Sequence, residues 1–140
     1  MKIGVIISSN DAETCWNALR FANFALGQQD SVKVSLTGKG VEYEQVSTDK
    51  FNTVEQAGKL LQGNGKLYAC GICIKSRGKA ETAFCPLSTM KDMYEIVKES
   101  DRVVTFEAAP LCHTCADRGG GWGCVAHSRW KTSSDSPGSG

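Results

Sequence analysis

The sequence predicts an α/β protein, a three-layer α/β/α sandwich built on a mostly parallel sheet of four to five strands. Short apolar runs suited to buried strands recur at residues 2–8, 31–37, 66–70 and 102–106. Segments with helical apolar spacing separate them. The resulting order, β-α-β-loop-α-β-α-α-β, asks for right-handed crossovers, which make the strands parallel and put helices on both faces.

The first run, KIGVIIS at 2–8, is apolar throughout, as a strand covered on both faces should be. Asn10 and Glu13 have the spacing of a capping pair for a helix over about 11–27. That helix carries Cys15, Trp16, Leu19, Ala22, Phe24 and Leu26. These cover more than one stripe, so it is expected to touch the sheet and a second surface. SVKVSLT at 31–37 alternates Val32, Val34 and Leu36 with Lys33 and Ser35, a strand with one wetter side. GKG at 38–40 fits no phosphate-loop or dinucleotide spacing and reads as a turn. VEYEQV at 41–46 is the candidate for a fifth strand.

Thr53 and Gln56 resemble a capping box for a helix with Val54, Ala57, Leu60 and Leu61 facing inward, which GNG at 63–65 ends. KLYAC at 66–70 is a strand that delivers Cys70 at its carboxyl end, followed by a short helical segment to Gly78. Thr89 and Asp92 open a further helix in which Met90, Met93, Tyr94 and Val97 fall at helical spacing, the two methionines being expected as core filler rather than ligands. RVVTF at 102–106 closes the sheet.

Of 140 residues, 41% are hydrophobic and 22% charged, as in ordinary globular chains. A net charge of +1 gives no electrostatic case for direct nucleic-acid binding. No apolar run approaches the ~20 residues that span a bilayer. The N-terminus reads as a strand rather than a secretion signal. Seven cysteines without such a signal point to a reducing cytoplasm, where thiols serve chemistry or metal binding.

Cys70 draws attention by position. Reacting groups of open parallel sheets gather beyond the carboxyl ends of the strands. A cysteine there, before a helix, is expected to meet free N–H groups that favour its thiolate, with Lys75 and Arg77 adding positive charge. Cys73 completes a C-x-x-C pair, which serves equally a redox dithiol, half a zinc site or a nucleophile with a resolving partner. Cys85 reads as a small core residue near a helix start, and Cys15 as packing.

After Phe106 the composition changes. Residues 107–140 contain no Ile, Phe, Tyr or Met and cannot bury a core unaided. The domain therefore spans 1–107, and 108–140 form a Cys/Gly-rich tail. Cys112, Cys115, Cys124 and His127 have the paired spacing that tetrahedral zinc requires, with His113 a bystander. The final KTSSDSPGSG is expected to be disordered.

Three segments, KIGVIISSNDAETCWNALRFANFAL, LYACGICIKSRG and STMKDMYEIVKESDRVVTF, together resemble DsrE/DsrF-like proteins of the TusD type, across about residues 2–106. In that family the reactive cysteine follows a strand, and a glycine after an arginine stands eight residues on. Cys70, Arg77 and Gly78 match that pattern. The resemblance implies that Cys70 accepts sulfane sulfur as a persulfide and passes it on without a cofactor. It also implies a homo-oligomer or mixed complex of related subunits, working between an upstream sulfur donor and a downstream carrier protein. Cys73 has no counterpart in the TusD-type loop, and the tail has none in the family pattern. Two other functions compete: a zinc-binding interaction protein acting through residues 112–127, and a thiol-disulfide oxidoreductase using Cys70 and Cys73.

Overall fold

Four strands of five or six residues and one of two, separated by helices, settle into one parallel sheet. The computed structural model describes residues 1–78 and 87–107. β1 (Lys2–Ile7), β2 (Ser31–Leu36), β3 (Lys66–Cys70), β4 (Leu87–Ser88) and β5 (Arg102–Phe106) lie in the order β4-β3-β2-β1-β5, all parallel. The helices are α1 (Ala12–Gly27), α2 (Thr53–Gln62), α3 (Gly71–Lys75) and α4 (Met90–Glu99). The predicted α/β class and parallel sheet are thus what the chain forms.

One sheet face carries the core. Ile3, Val5 and Ile7 stand in register with Val32, Val34 and Leu36. They pack with Leu67, with Cys15, Ala18, Leu19 and Ala22 of α1, and with Ala57 and Leu60 of α2. The opposite face is thinner. There α4 sits close on β1, and a side chain at Gly4 would meet Ser100 Oγ at 2.8 Å and Ile96 at 3.0 Å. Glycine is what lets helix and strand approach that closely.

Several expectations change at the helix ends and on their outer faces. Asp11, not Asn10, caps α1, accepting from the Thr14 N–H at 2.8 Å, because Asn10 donates its side-chain amide to Glu42 instead. Asn52 caps α2 by accepting from the Glu55 N–H, which moves Thr53 into the first turn, where its hydroxyl donates to the Tyr43 carbonyl. Val54 consequently points outward. Thr89 and Asp92 do form the reciprocal capping box of α4. Its buried residue differs from the expected methionines, however: Ile96 is buried, whereas Met90, Tyr94 and Val97 are exposed. A ten-residue helix seated on Gly4 buries one large side chain fully, while Met93 is half-buried and the other apolar residues face out.

The expected strand at 41–46 does not form. Backbone bonds from Gly40 to Thr37 and from Tyr43 to Gly40 wind the segment into a 3-10 helix, Gly38–Glu42, and following turns. The fifth strand is β4. No helix among the described residues is long and apolar enough to cross a membrane.

Candidate thiol site at the carboxyl edge of the sheet

Parallel strands end on one edge, and the segments that follow β1, β2 and β3 converge there. Cys70 is the last residue of β3 and the N-cap of α3, and Cys73 lies within that five-residue helix. Both are half-buried free thiols, hydrogen-bonded to each other.

The two sulfurs have different surroundings. Gly38, in the left-handed region at φ +52°, donates its N–H to Cys73 Sγ at 3.3 Å. The Thr37 hydroxyl also hydrogen-bonds this sulfur, and the Arg77 charge acts on it. Arg77 is held in place at both ends. Its Nη1 donates to the Cys73 carbonyl at 3.1 Å, and its Nε pairs with Glu42 at 3.0 Å. Glu42 in turn accepts from the Asn10 side chain at 2.8 Å. One polar network therefore ties the segments after β1, β2 and β3 around Cys73.

Cys70 borders a pocket that Cys73 does not line. Among the described residues, Cys70, Ile72, Lys75, Leu87 and Met90 line a pocket of about 250 Å³. Ile72 and Met90 stand 80% and 72% exposed at its mouth, so its walls offer a partner apolar surface. Lys75 is the charged group of the lining.

These environments pull the thiols apart. Burial raises Cys70, and the hydrogen bond it shares with Cys73 raises it further. The Ile72 and Cys73 amides favour its anion only weakly, and none makes a capping hydrogen bond. Burial also pushes Cys73 up, but the hydrogen bonds from Cys70, Gly38 and Thr37, with the Arg77 charge, bring it below its ordinary value. The expectation that strand-end N–H groups favour the Cys70 thiolate is therefore reversed. Of the two, Cys73 is therefore the thiol that loses its proton more readily. Cys15 belongs to neither group. It donates to the Ser9 carbonyl at 3.0 Å, and burial pushes it up to about 11, which suits a packing role.

Of the residues singled out in the sequence, Cys70, Cys73 and Arg77 come together. Cys85, Cys112, Cys115, Cys124 and His127 lie outside the described residues. Among those described, no group of three His, Cys, Asp or Glu stands placed to hold a metal. Sequence reading missed Asn10, Thr37, Gly38 and Glu42. The GKG turn directly after a parallel strand was the available signal, since it places backbone N–H groups at the edge that Cys70 also occupies.

The comparisons with known proteins agree with this architecture. The family model described as the DsrE/DsrF-like family matches residues 1–106. Uncharacterized protein MK0008 of Methanopyrus kandleri is 36% identical over 100 residues, covering 67% of this chain and 83% of its own. Uncharacterized protein MJ0989 of Methanocaldococcus jannaschii is 36% identical over 114 residues, covering 76% of this chain and 100% of its own. The crystal structure of the ychN protein from E. coli matches with a TM-score of 0.66, covering 76% of this chain and 100% of that one. At 20% identity that likeness bears on the fold alone.

Proposed function

The chain belongs to the DsrE/DsrF-like family, and from that premise we propose that it is a sulfur carrier that accepts sulfane sulfur on Cys70 as a persulfide and passes it on. The observation that carries this reading is the Cys70 pocket: a half-buried thiol at the sheet's carboxyl edge, open to a partner and backed by a second thiol. Arg77 supports it by fixing α3 through the Cys73 carbonyl. Transfer between thiols needs no cofactor, and any zinc would belong to Cys112, Cys115, Cys124 and His127. Incubation with inorganic polysulfide, followed by release of cyanide-labile sulfur, should yield close to one equivalent per chain. A yield indistinguishable from a thiol-blocked control would overturn the proposal.

A second reading, a dithiol that cycles with its disulfide, is favoured by the neighbouring Cys70 and Cys73 thiols, of which Cys73 ionises more readily. Redox titration separates the two. A carrier keeps both thiols reduced at cytosolic glutathione potentials, whereas an oxidoreductase pair oxidises reversibly near them.

The partners that suit a carrier are a donor and an acceptor protein, within an assembly of like or related subunits in the cytoplasm. Exposed Phe24 on α1 and exposed Met90, Tyr94 and Val97 on α4 are the surfaces that assembly would cover. Light scattering should show more than the 15.0 kDa monomer, and a monomer alone at micromolar concentration would count against it.

A further inference from the structure

We propose that the sulfur accepted by Cys70 does not stay there but moves within the chain to Cys73, whose surroundings are built to hold a sulfur anion. The inference rests on Cys70 being the acceptor. It is carried by the contrast between the surroundings of the two sulfurs. The Cys73 sulfur receives the Gly38 N–H at 3.3 Å and a hydrogen bond from Thr37, beside an arginine fixed by Glu42 and Asn10. The Cys70 sulfur lies in a pocket walled mainly by Ile72, Leu87 and Met90. Lys75 lines that pocket too, yet the Cys70 thiol remains harder to ionise than an ordinary one.

The step is a displacement at the terminal sulfur of the Cys70 persulfide in its neutral form, Cys70–S–SH. The Cys73 thiolate attacks that terminal sulfur. A bond forms from it to Cys73 Sγ as its bond to Cys70 Sγ breaks. Cys70 leaves as a thiolate and takes the proton that the transferred sulfur carried. The products are Cys70–SH and Cys73–S–S⁻. One sulfur atom and one proton change places, nothing is oxidised or reduced overall, and no co-reactant is consumed. Each product suits its site: the proton returns to the thiol in the apolar pocket, and the anion stays among N–H, hydroxyl and guanidinium groups. A persulfide is more acidic than a thiol, which favours the same direction. Cys70 is then free at the pocket, so loading and delivery occupy different sulfurs.

The test loads wild type, Cys73→Ser, Thr37→Val and Cys70→Ser with inorganic polysulfide without oxygen, quenches by alkylation and maps the adducts by peptide mass spectrometry. In wild type most of the added sulfur should sit on Cys73 rather than on Cys70. In Cys73→Ser it should sit on Cys70. Thr37→Val, which removes one hydrogen bond to the Cys73 sulfur, should move the wild-type distribution back toward Cys70. Wild-type label remaining on Cys70 would overturn the relay and leave Cys70 as acceptor. A Cys70–Cys73 disulfide with released hydrosulfide, in place of labelled Cys73, would also overturn it. Undiminished label on Cys73 in Cys70→Ser would instead remove the acceptor reading on which the relay depends.

Discussion

Cys70→Ser should reduce sulfane loading to background, a loss on the order of a hundredfold, while the fold stays as stable as before. The loss follows from chemistry, since a serine hydroxyl cannot form a persulfide and the other described thiols are badly placed to replace it. Cys15 is buried, spends its S–H on the Ser9 carbonyl, and is pushed up to about 11 by that burial. Cys73 is not among the residues that line the Cys70 pocket, where a donor would meet the thiol. Preserved stability follows from packing. Cys70 is half-buried and makes no capping hydrogen bond, so exchanging one atom should change stability by about 0.5 kcal/mol or less. Cyanide-labile sulfur and a urea melt on the same preparation check both halves. Undiminished loading, with the sulfur on Cys73 or Cys85, would contradict the assignment.

Gly40→Ala should be the most damaging conservative change near the site, costing about 3 kcal/mol. A methyl at this position would run into the backbone carbonyl of Ile7, with the rest of that peptide also in contact range. Backbone cannot rotate aside as a flexible side chain can. The Ile7 carbonyl also accepts from the Thr37 N–H at 2.9 Å, so relieving the clash must shift the Thr37–Gly38 segment. That segment supplies two of the hydrogen bonds that hold Cys73 below its ordinary ionisation. The variant should therefore show a second change: its Cys73 alkylation should rise at higher pH than in wild type. An unchanged melt with an unchanged alkylation profile would show that the close approach at Gly40 is not a constraint.

The sheet was legible because its strands are short runs rich in Val, Ile and Leu whose spacing leaves few alternatives, and β1, β2, β3 and β5 lie where those runs are. Two-residue β4 was not, since nothing in Leu87 and Ser88 alone distinguishes a strand from a loop. Helix faces were less legible where the sequence offers more apolar residues than one face can bury. Met90, Tyr94 and Val97 have the spacing of a core stripe, yet α4 buries Ile96 because Gly4 draws the helix down at that point. Capping was misjudged by one residue twice, at Asn10 and Thr53, because both side chains are engaged by groups distant in sequence, Glu42 and Tyr43.

At the site, Cys70 was legible from its place at a strand end, and Cys73 and Arg77 from their spacing to it. The surroundings that rank the two thiols were not. They come from Thr37, Gly38, Glu42 and Asn10, at least 28 residues away along the chain and joined to the cysteines only by the parallel register of β1, β2 and β3. A turn of the GKG kind reveals its use only when the sulfur it faces is known.

The central claim, that Cys70 is the acceptor of transferable sulfur, is tested most directly in Cys73→Ser, where internal transfer cannot move the atom after it arrives. This variant should be loaded with inorganic polysulfide, trapped by alkylation and mapped by peptide mass spectrometry. The account predicts one added sulfur atom in the peptide holding Cys70. Added sulfur on Cys85 or in the tail cysteines, with Cys70 recovered as a plain thiol, would contradict it.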